Sequence, residues 1–169
     1  MKAFIVTGKS WSGKTTTVEC IVRELVKRGY SVGTAKSIHA EDFSVDVPGT
    51  DTHRHMEAGS DITVAVGLRE TALFVRRPLP IREIIRYYHQ DFVVLEGFHE
   101  YPLPKILTAT ERSDLEIRFD SLVFAISGVV ASQIKSYSGV RVINALDDVE
   151  TLTDLVVAHA AIIDDLDLL

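Results

Sequence analysis

Residues 8–15 read Gly8-Lys9-Ser10-Trp11-Ser12-Gly13-Lys14-Thr15. This is a G-x-x-x-x-G-K-[ST] spacing, and its chemistry is phosphate binding. In such a loop successive backbone N–H groups point inward and surround the β-phosphate. Gly8 and Gly13 supply backbone turns that side chains would hinder. Lys14 is expected to reach the β- and γ-phosphates, and the Thr15 hydroxyl to hold Mg²⁺. Ser10, Ser12 and Thr16 complete the expected nucleotide-contacting set. A helix beginning here would direct its positive end at the anion.

A phosphate loop that drives catalysis or switching also needs a group facing the metal from a neighbouring strand. Asp91-Phe92-Val93-Val94-Leu95-Glu96-Gly97 supplies one, an apolar strand with an acid at its C-terminal end. Ligands bind outside the carboxyl ends of parallel strands. A carboxylate there binds Mg²⁺ through water or orients an attacking water. Lys14 and Glu96 are therefore the candidate catalytic residues, and Thr15 and Glu96 the candidate metal ligands. Gly97 would let backbone approach the γ-phosphate. The alternative is a surface acid that merely ends a strand.

Between the second strand and a later hairpin lie Lys36, His39, Asp42, Asp46, Asp51, His53, Arg54, His55 and Glu57. Such a loop falls at the sheet edge where switch segments meet Mg²⁺ and γ-phosphate. Asp46, Asp51 and Arg54 are expected to line the nucleotide or cofactor side. His53 and His55 are two residues apart and do not share a helix face, so a dedicated transition-metal site is not expected. A solvated polar loop is the competing reading.

These groups must be held by ordered elements. Ala3–Val6 is a fully apolar run, suited to a buried parallel strand. After the loop, Val18, Ile21, Val22, Leu25 and Val26 fall on one helix face, with Glu19, Arg23, Glu24 and Lys27 opposite. Gly29 suits the residue just past the helix end. Residues 31–36 read as a second strand, and 37–50 as irregular chain with a Pro48-Gly49 turn. Residues 51–58 suggest a short helix capped by Asp51 and stopped by Gly59. Ile62–Val66 and Thr71–Val75 read as an antiparallel hairpin, and Ile81, Ile84, Ile85 and Tyr88 as a helical stripe. Phe92–Leu95, Leu122–Ile126 and Arg141–Ile143 are further strand candidates. The last helix starts at Asp147-Asp148-Val149-Glu150, with Val149, Leu152, Val156, Ala160 and Ile163 as its apolar face. The pattern predicts an α/β fold, a mostly parallel doubly wound sheet of the P-loop NTPase type. It spans residues 1–169 as a single domain, with the hairpin at about 62–76 inserted.

The 169 residues suffice for a real core, and the hydrophobic share of 46% argues against disorder. With a net charge of −6 and no basic stripe, a nucleic-acid partner is not expected. Cys20, the single cysteine, sits in the first helix and reads as a small packed residue. No leader-like start and no long apolar run occur, so a cytoplasmic protein without a membrane partner is expected.

Three segments together resemble a known family, the B protein of molybdopterin-guanine dinucleotide biosynthesis, a GTP-binding adapter protein. They are Gly8-x-Ser10-x-Ser12-Gly13-Lys14-Thr15-Thr16, then Asp46-x-Pro48-Gly49-x-Asp51-x-x-Arg54-His55-x-Glu57-Ala58-Gly59, then Glu96-Gly97-Phe98 followed by Pro104-Lys105. The middle segment is the distinctive one. The resemblance implies GTP binding with slow GTP hydrolysis. It implies assistance to the guanylyltransferase that attaches GMP to molybdopterin, and a homodimer. This chain departs from the family in keeping only His39 of a His-rich stretch. Thr50 stands where lysine is common, and Ser127-Gly128 where an aspartate often follows the strand. No N-K-x-D guanine-reading motif occurs, so guanine preference rests on the resemblance. A small-molecule kinase remains open, with Arg112 and Arg118 as lid candidates although no lid helix is evident. So does a metallochaperone-type GTPase, which would want paired cysteines or a His-rich tail. The hairpin points to a dimer, the alternative being a hairpin folded onto its own domain: Ile62, Val64 and Val66 alternate with Thr63 and Ala65, while Ala72–Val75 are apolar on both faces.

Overall fold

The computed structural model describes residues 1–163. Its first unit comprises residues 1–37 and 88 onward; its second comprises residues 38–87.

The first unit is built on the apolar runs. Strands β1 (Lys2–Gly8), β2 (Val32–Lys36), β5 (Phe92–Glu96), β6 (Lys105–Thr108) and β7 (Val123–Ser127) form a parallel sheet in the order β2-β5-β1-β6-β7. A short β10 (Ala161–Ile162) pairs antiparallel with β1. Helices α1 (Lys14–Lys27) and α5 (Val149–His159) cover one face, where Ile21, Leu25, Leu152 and Val156 pack on Phe4, Val6, Val94 and Ile106. Helix α4 (Arg112–Arg118) covers the other, with Leu115 packed on Leu107, Val123 and Ile126. Helices on both faces of a parallel sheet are the doubly wound arrangement expected from the sequence.

Local chemistry sets the ends of α1. Gly13, at φ 94°, opens it. At its C-terminus the Gly29 N–H bonds to the Val26 carbonyl and the Tyr30 N–H to the Leu25 carbonyl, a Schellman closure around Gly29 at φ 89°. The buried stripe is Thr17, Val18, Ile21, Glu24 and Leu25, whereas Val26 is exposed. The helical period centres the stripe on residues 17, 21 and 24, so Val26 rotates outward. Glu24 takes its place inside because Arg28 and Lys27 pair with it at 2.8 and 3.2 Å. Arg28 then reaches Asp154 at 2.7 Å, tying α1 to α5. Asp148 caps α5 by accepting from the Thr151 N–H. Residues 140–143 divide their roles. Val140–Arg141 form β9, paired with β8 (Ser136–Tyr137), and Val142 makes an isolated bridge to Ile126.

The sequence reading omitted β6, α4, β8 and β10. β6 escaped because Lys-Ile-Leu-Thr is short and opens with a charge. That lysine is buried: its ammonium donates to the His99 carbonyl at 3.0 Å and to the Asp120 carboxylate at 2.8 Å. Among the described residues no helix is long and apolar enough to cross a membrane.

In the second unit, β3 (Ile62–Val66) and β4 (Thr71–Val75) pair Ile62 with Val75 and Val64 with Leu73. Thr63 is buried, while Ile62, Val64, Val66 and Leu73 are exposed. The larger aliphatic side chains of β3 therefore face outward and its smaller ones inward. Helix α2 (Asp51–Glu57) is capped by Thr50 rather than Asp51: the Thr50 hydroxyl accepts from the His53 N–H. A hydroxyl one residue earlier reaches that N–H, and Asp51 becomes the first helical residue. Helix α3 (Ile81–Ile85) is shorter than the stripe to Tyr88 implied.

Lys105→Ala removes both charge-assisted bonds at the start of β6. It is expected to lower the unfolding free energy by about 1.5–3 kcal/mol, read from urea denaturation of variant and parent.

Candidate functional site

The site grows from the end of β1. Gly8 at φ 152° lies so close to Thr108 that a Cβ would overlap its carbonyl oxygen. Trp11 (φ 64°) and Gly13 (φ 94°) both adopt the left-handed conformation. That conformation alternating with ordinary backbone turns neighbouring N–H groups toward one concavity, a shape that holds anions. Trp11 is almost fully exposed, so a non-glycine residue keeps this strained conformation without burial to stabilise it.

The loop is braced from outside. Ser12 is fully buried and its hydroxyl lies 2.7 Å from that of Thr108. The Thr108 hydroxyl donates its only proton to the Thr7 carbonyl at 3.0 Å, so Ser12 is the donor between the two. The Ser12 carbonyl accepts from the Val129 N–H. Gly128, at φ 88°, sits against that carbonyl so tightly that any Cβ would collide with it. Lys9 is tethered to Asp114 at 2.7 Å. Asp114 belongs to a reciprocal cap at the start of α4, and the Lys9 ammonium holds its carboxyl below the usual range.

Inside the loop the Lys14 ammonium donates to the carbonyls of Gly8 at 3.0 Å and Lys9 at 2.7 Å. Burial pushes its pKa down. Glu96 opposes that, while the charges of Lys36 and Arg118 add to it. The Thr15 hydroxyl donates to Glu96 Oε1 at 3.0 Å. Glu96 is buried at the end of β5, and Lys36 Nζ lies 2.9 Å from the same oxygen. Gly97 follows at φ 98°, its N–H bonded to the Val6 carbonyl. A cavity of about 310 Å³ adjoins Gly13 and is bounded by Thr16, Thr17, Ser127, Val129, Asn144 and Leu146.

The structure thus brings Lys14, Thr15 and Glu96 together, with Gly8, Gly13 and Gly97 at the adjoining turns. Ser10 and Thr16 are exposed. Ser12 turns its hydroxyl into the protein instead of toward a ligand. Asp46, Asp51 and Arg54 belong to the second unit. There Asp46 is a loop staple: its carboxylate accepts from the Thr50 and Thr52 hydroxyls and the Val47 N–H. Burial opposes its ionisation, but those donors outweigh burial and hold its carboxyl below the ordinary range. Asp51 and Arg54 form an exposed pair at 3.5 Å. Arg112 lies over the Tyr137 ring at 5.6 Å.

Thr108 and Gly128 were missed as site residues, and Lys36 was placed with the polar loop rather than beside Glu96. The signal for Lys36 was available, since it ends an expected parallel strand as Glu96 does. Thr108 and Gly128 depend on β6 lying beside β1, which the sequence did not announce.

Thr15 and Glu96 offer hard oxygen donors, which suit Mg²⁺. Among the described residues no group of three or more His, Cys, Asp or Glu could hold a metal. Mg²⁺ would therefore need phosphate oxygens and water to complete its shell, as it commonly does.

Comparison with known proteins gives one consistent result. The family model described as molybdopterin guanine dinucleotide synthesis protein B matches residues 3–127. A probable molybdopterin-guanine dinucleotide biosynthesis adapter protein of Bacillus subtilis is 30% identical over 148 residues, 85% of this chain and 86% of that protein. The corresponding adapter protein of Haemophilus influenzae is 36% identical over 109 residues, 60% of each. The crystal structure of Bacillus subtilis MobB superposes with a TM-score of 0.78 at 27% identity, covering 95% of this chain and 99% of that one. With the phosphate loop, its bracing and the acid at the end of β5 in place, the chain belongs to the molybdopterin guanine dinucleotide synthesis protein B family.

Proposed function

We propose that this chain binds GTP with Mg²⁺ at the phosphate loop and hydrolyses it slowly. Through that cycle it assists the guanylyltransferase that attaches GMP to molybdopterin. Its role in molybdenum cofactor biosynthesis follows from its family. The observation that carries the nucleotide reading is the convergence of Lys14, Thr15 and Glu96 on one loop. Lys14 neutralises the phosphates, and Thr15 and Glu96 hold the Mg²⁺ that travels with them. The metal supplies charge neutralisation at the β- and γ-phosphates. Glu96 orients water toward the phosphate, and the cavity beside Thr16 receives the nucleoside.

The competing reading is phosphate transfer to a small acceptor, for which Arg118 of α4 is the lid candidate. Assays of transfer from labelled GTP to small hydroxyl acceptors separate the two. Label appearing only as inorganic phosphate supports hydrolysis.

The protein acts as a cytoplasmic homodimer in this proposal. The outward Ile62, Val64, Val66 and Leu73 face of the hairpin is what a second copy covers.

Lys14→Ala is expected to weaken GTP binding by roughly tenfold to over a hundredfold, the loss of about 1.5–3 kcal/mol from a charge-assisted phosphate contact. Isothermal titration calorimetry on the folded variant reads this directly. Unchanged affinity would remove the phosphate-loop assignment.

Glu96→Gln keeps the shape and removes the charge. Hydrolysis and its Mg²⁺ dependence should fall by at least tenfold while GTP affinity changes less. Single-turnover phosphate release across a Mg²⁺ titration measures both.

Val64→Asp places a charge on the outward hairpin face. Sedimentation at micromolar concentration is expected to give a dimer for the parent and a monomer for the variant. A monomeric parent would refute the dimer.

A further inference from the structure

The Thr15–Glu96 pair already holds a cation that belongs to the chain. Lys36 is the last residue of β2, and the register of β2 on β5 sets it directly opposite Glu96. Its ammonium lies 2.9 Å from Glu96 Oε1 and 3.4 Å from Thr15 Oγ1, and those two oxygens are 3.0 Å apart. The three groups close a triangle. We propose that Lys36 is a built-in stand-in for the divalent ion, competing with Mg²⁺ for Glu96 and Thr15 and supporting triphosphate binding when no metal is present. This rests on the nucleotide reading of the loop and specifies how its metal requirement is set.

The physical case starts with Glu96. A carboxylate this buried needs a counter-charge. Its side chain is 9% exposed, whereas that of Lys36 is 53% exposed, so the acid is fixed and the lysine is free to swing. An ammonium and Mg²⁺ cannot both occupy the space against one carboxylate oxygen, because like charges so close repel strongly. When Mg²⁺ takes Glu96 and Thr15, Lys36 leaves them, and its flexible four-carbon stem lets its charge turn toward phosphate. When Mg²⁺ is absent, Lys36 stays, keeps Glu96 neutralised and offers its remaining N–H donors beside the loop. The charge of Lys36 also bears on Lys14, so the two ammonium groups address one anion together. A loop without such a lysine would present bare Glu96 to a metal-free triphosphate and repel it.

The experiment measures the dissociation constant for GTP by calorimetry in excess Mg²⁺ and in EDTA. It uses the full chain and the variants Lys36→Met, Lys36→Gln and Lys36→Arg. Thermal melts by circular dichroism establish that each is folded. Lys36→Met and Lys36→Gln should raise the EDTA-to-Mg²⁺ ratio at least tenfold, chiefly by weakening metal-free binding. Lys36→Arg should retain most of the parent's metal-free affinity. Titration with Mn²⁺, read by electron paramagnetic resonance, should give tighter metal binding to the Lys36→Met–GTP complex than to the parent complex. Ratios equal to the parent's in Met and Gln variants that still bind GTP overturn the role of Lys36 and leave the loop assignment standing. A parent that binds GTP in neither buffer overturns the loop assignment, and this inference with it.

Discussion

The level ends of three parallel strands govern the site. Val6 of β1 stands opposite Glu96 of β5, and Glu96 stands opposite Lys36 of β2. Parallel pairing has fixed register wherever both faces are buried, because a one-residue slip would turn apolar side chains to the wrong face. β5 is buried along its whole length, so its register is fixed in this way. The acid at its end is thereby delivered to the mouth of the phosphate loop, and the lysine of β2 to the acid. Neither group is positioned by its own neighbourhood. Glu96 is positioned by the buried apolar residues upstream of it in β5, and Lys36 by the pairing of β2 with β5.

The loop itself depends on the next strand. β6 brings Thr108 beside Gly8 and Ser12, and the turn after β7 brings Gly128 beside the Ser12 carbonyl. A strained conformation at an exposed residue such as Trp11 persists only where its surroundings over-determine it. Here that determination comes from Ser12, one residue away, locked by a hydroxyl chain to the Thr7 carbonyl. The Lys9–Asp114 pair adds a second anchor at the loop's outer side. Lys14 and Thr15 take no part in these braces: Lys14 donates to the Gly8 and Lys9 carbonyls, and Thr15 to Glu96.

Much of this was legible in the chain. The apolar runs named β1, β5 and β7, the hairpin strands were read to the residue, and the loop motif fell, as expected, between β1 and α1. Three of the misses come from polar side chains. Lys105 reads as surface but is buried on Asp120 and a carbonyl, which hid β6. Glu24 reads as the solvent side of α1 but is neutralised inward, which displaced the expected stripe. Thr50 took the cap assigned to Asp51. In each case a polar side chain found a partner that the hydrophobic pattern does not record: Lys105 across the chain, Glu24 one helical turn ahead, and Thr50 at the N–H assigned to Asp51. Lys36 was named among the polar groups at the sheet edge, but its partner Glu96 lies on a strand far along the chain.

The division of the chain carries a kinetic consequence. Residues 38–87 form a compact unit, and its hairpin is joined by a short turn in which the Gly67 N–H bonds to the Glu70 carbonyl. Contacts so local close quickly. The pairing of Val32 with Phe92, by contrast, must close the chain around that whole segment. Loop-closure entropy falls when the intervening chain is already compact, because fewer free residues separate the ends. Early folding of the second unit would thus shorten the search by which β5 finds β2. The unit would serve as a tether for the sheet during folding, whatever it does afterward.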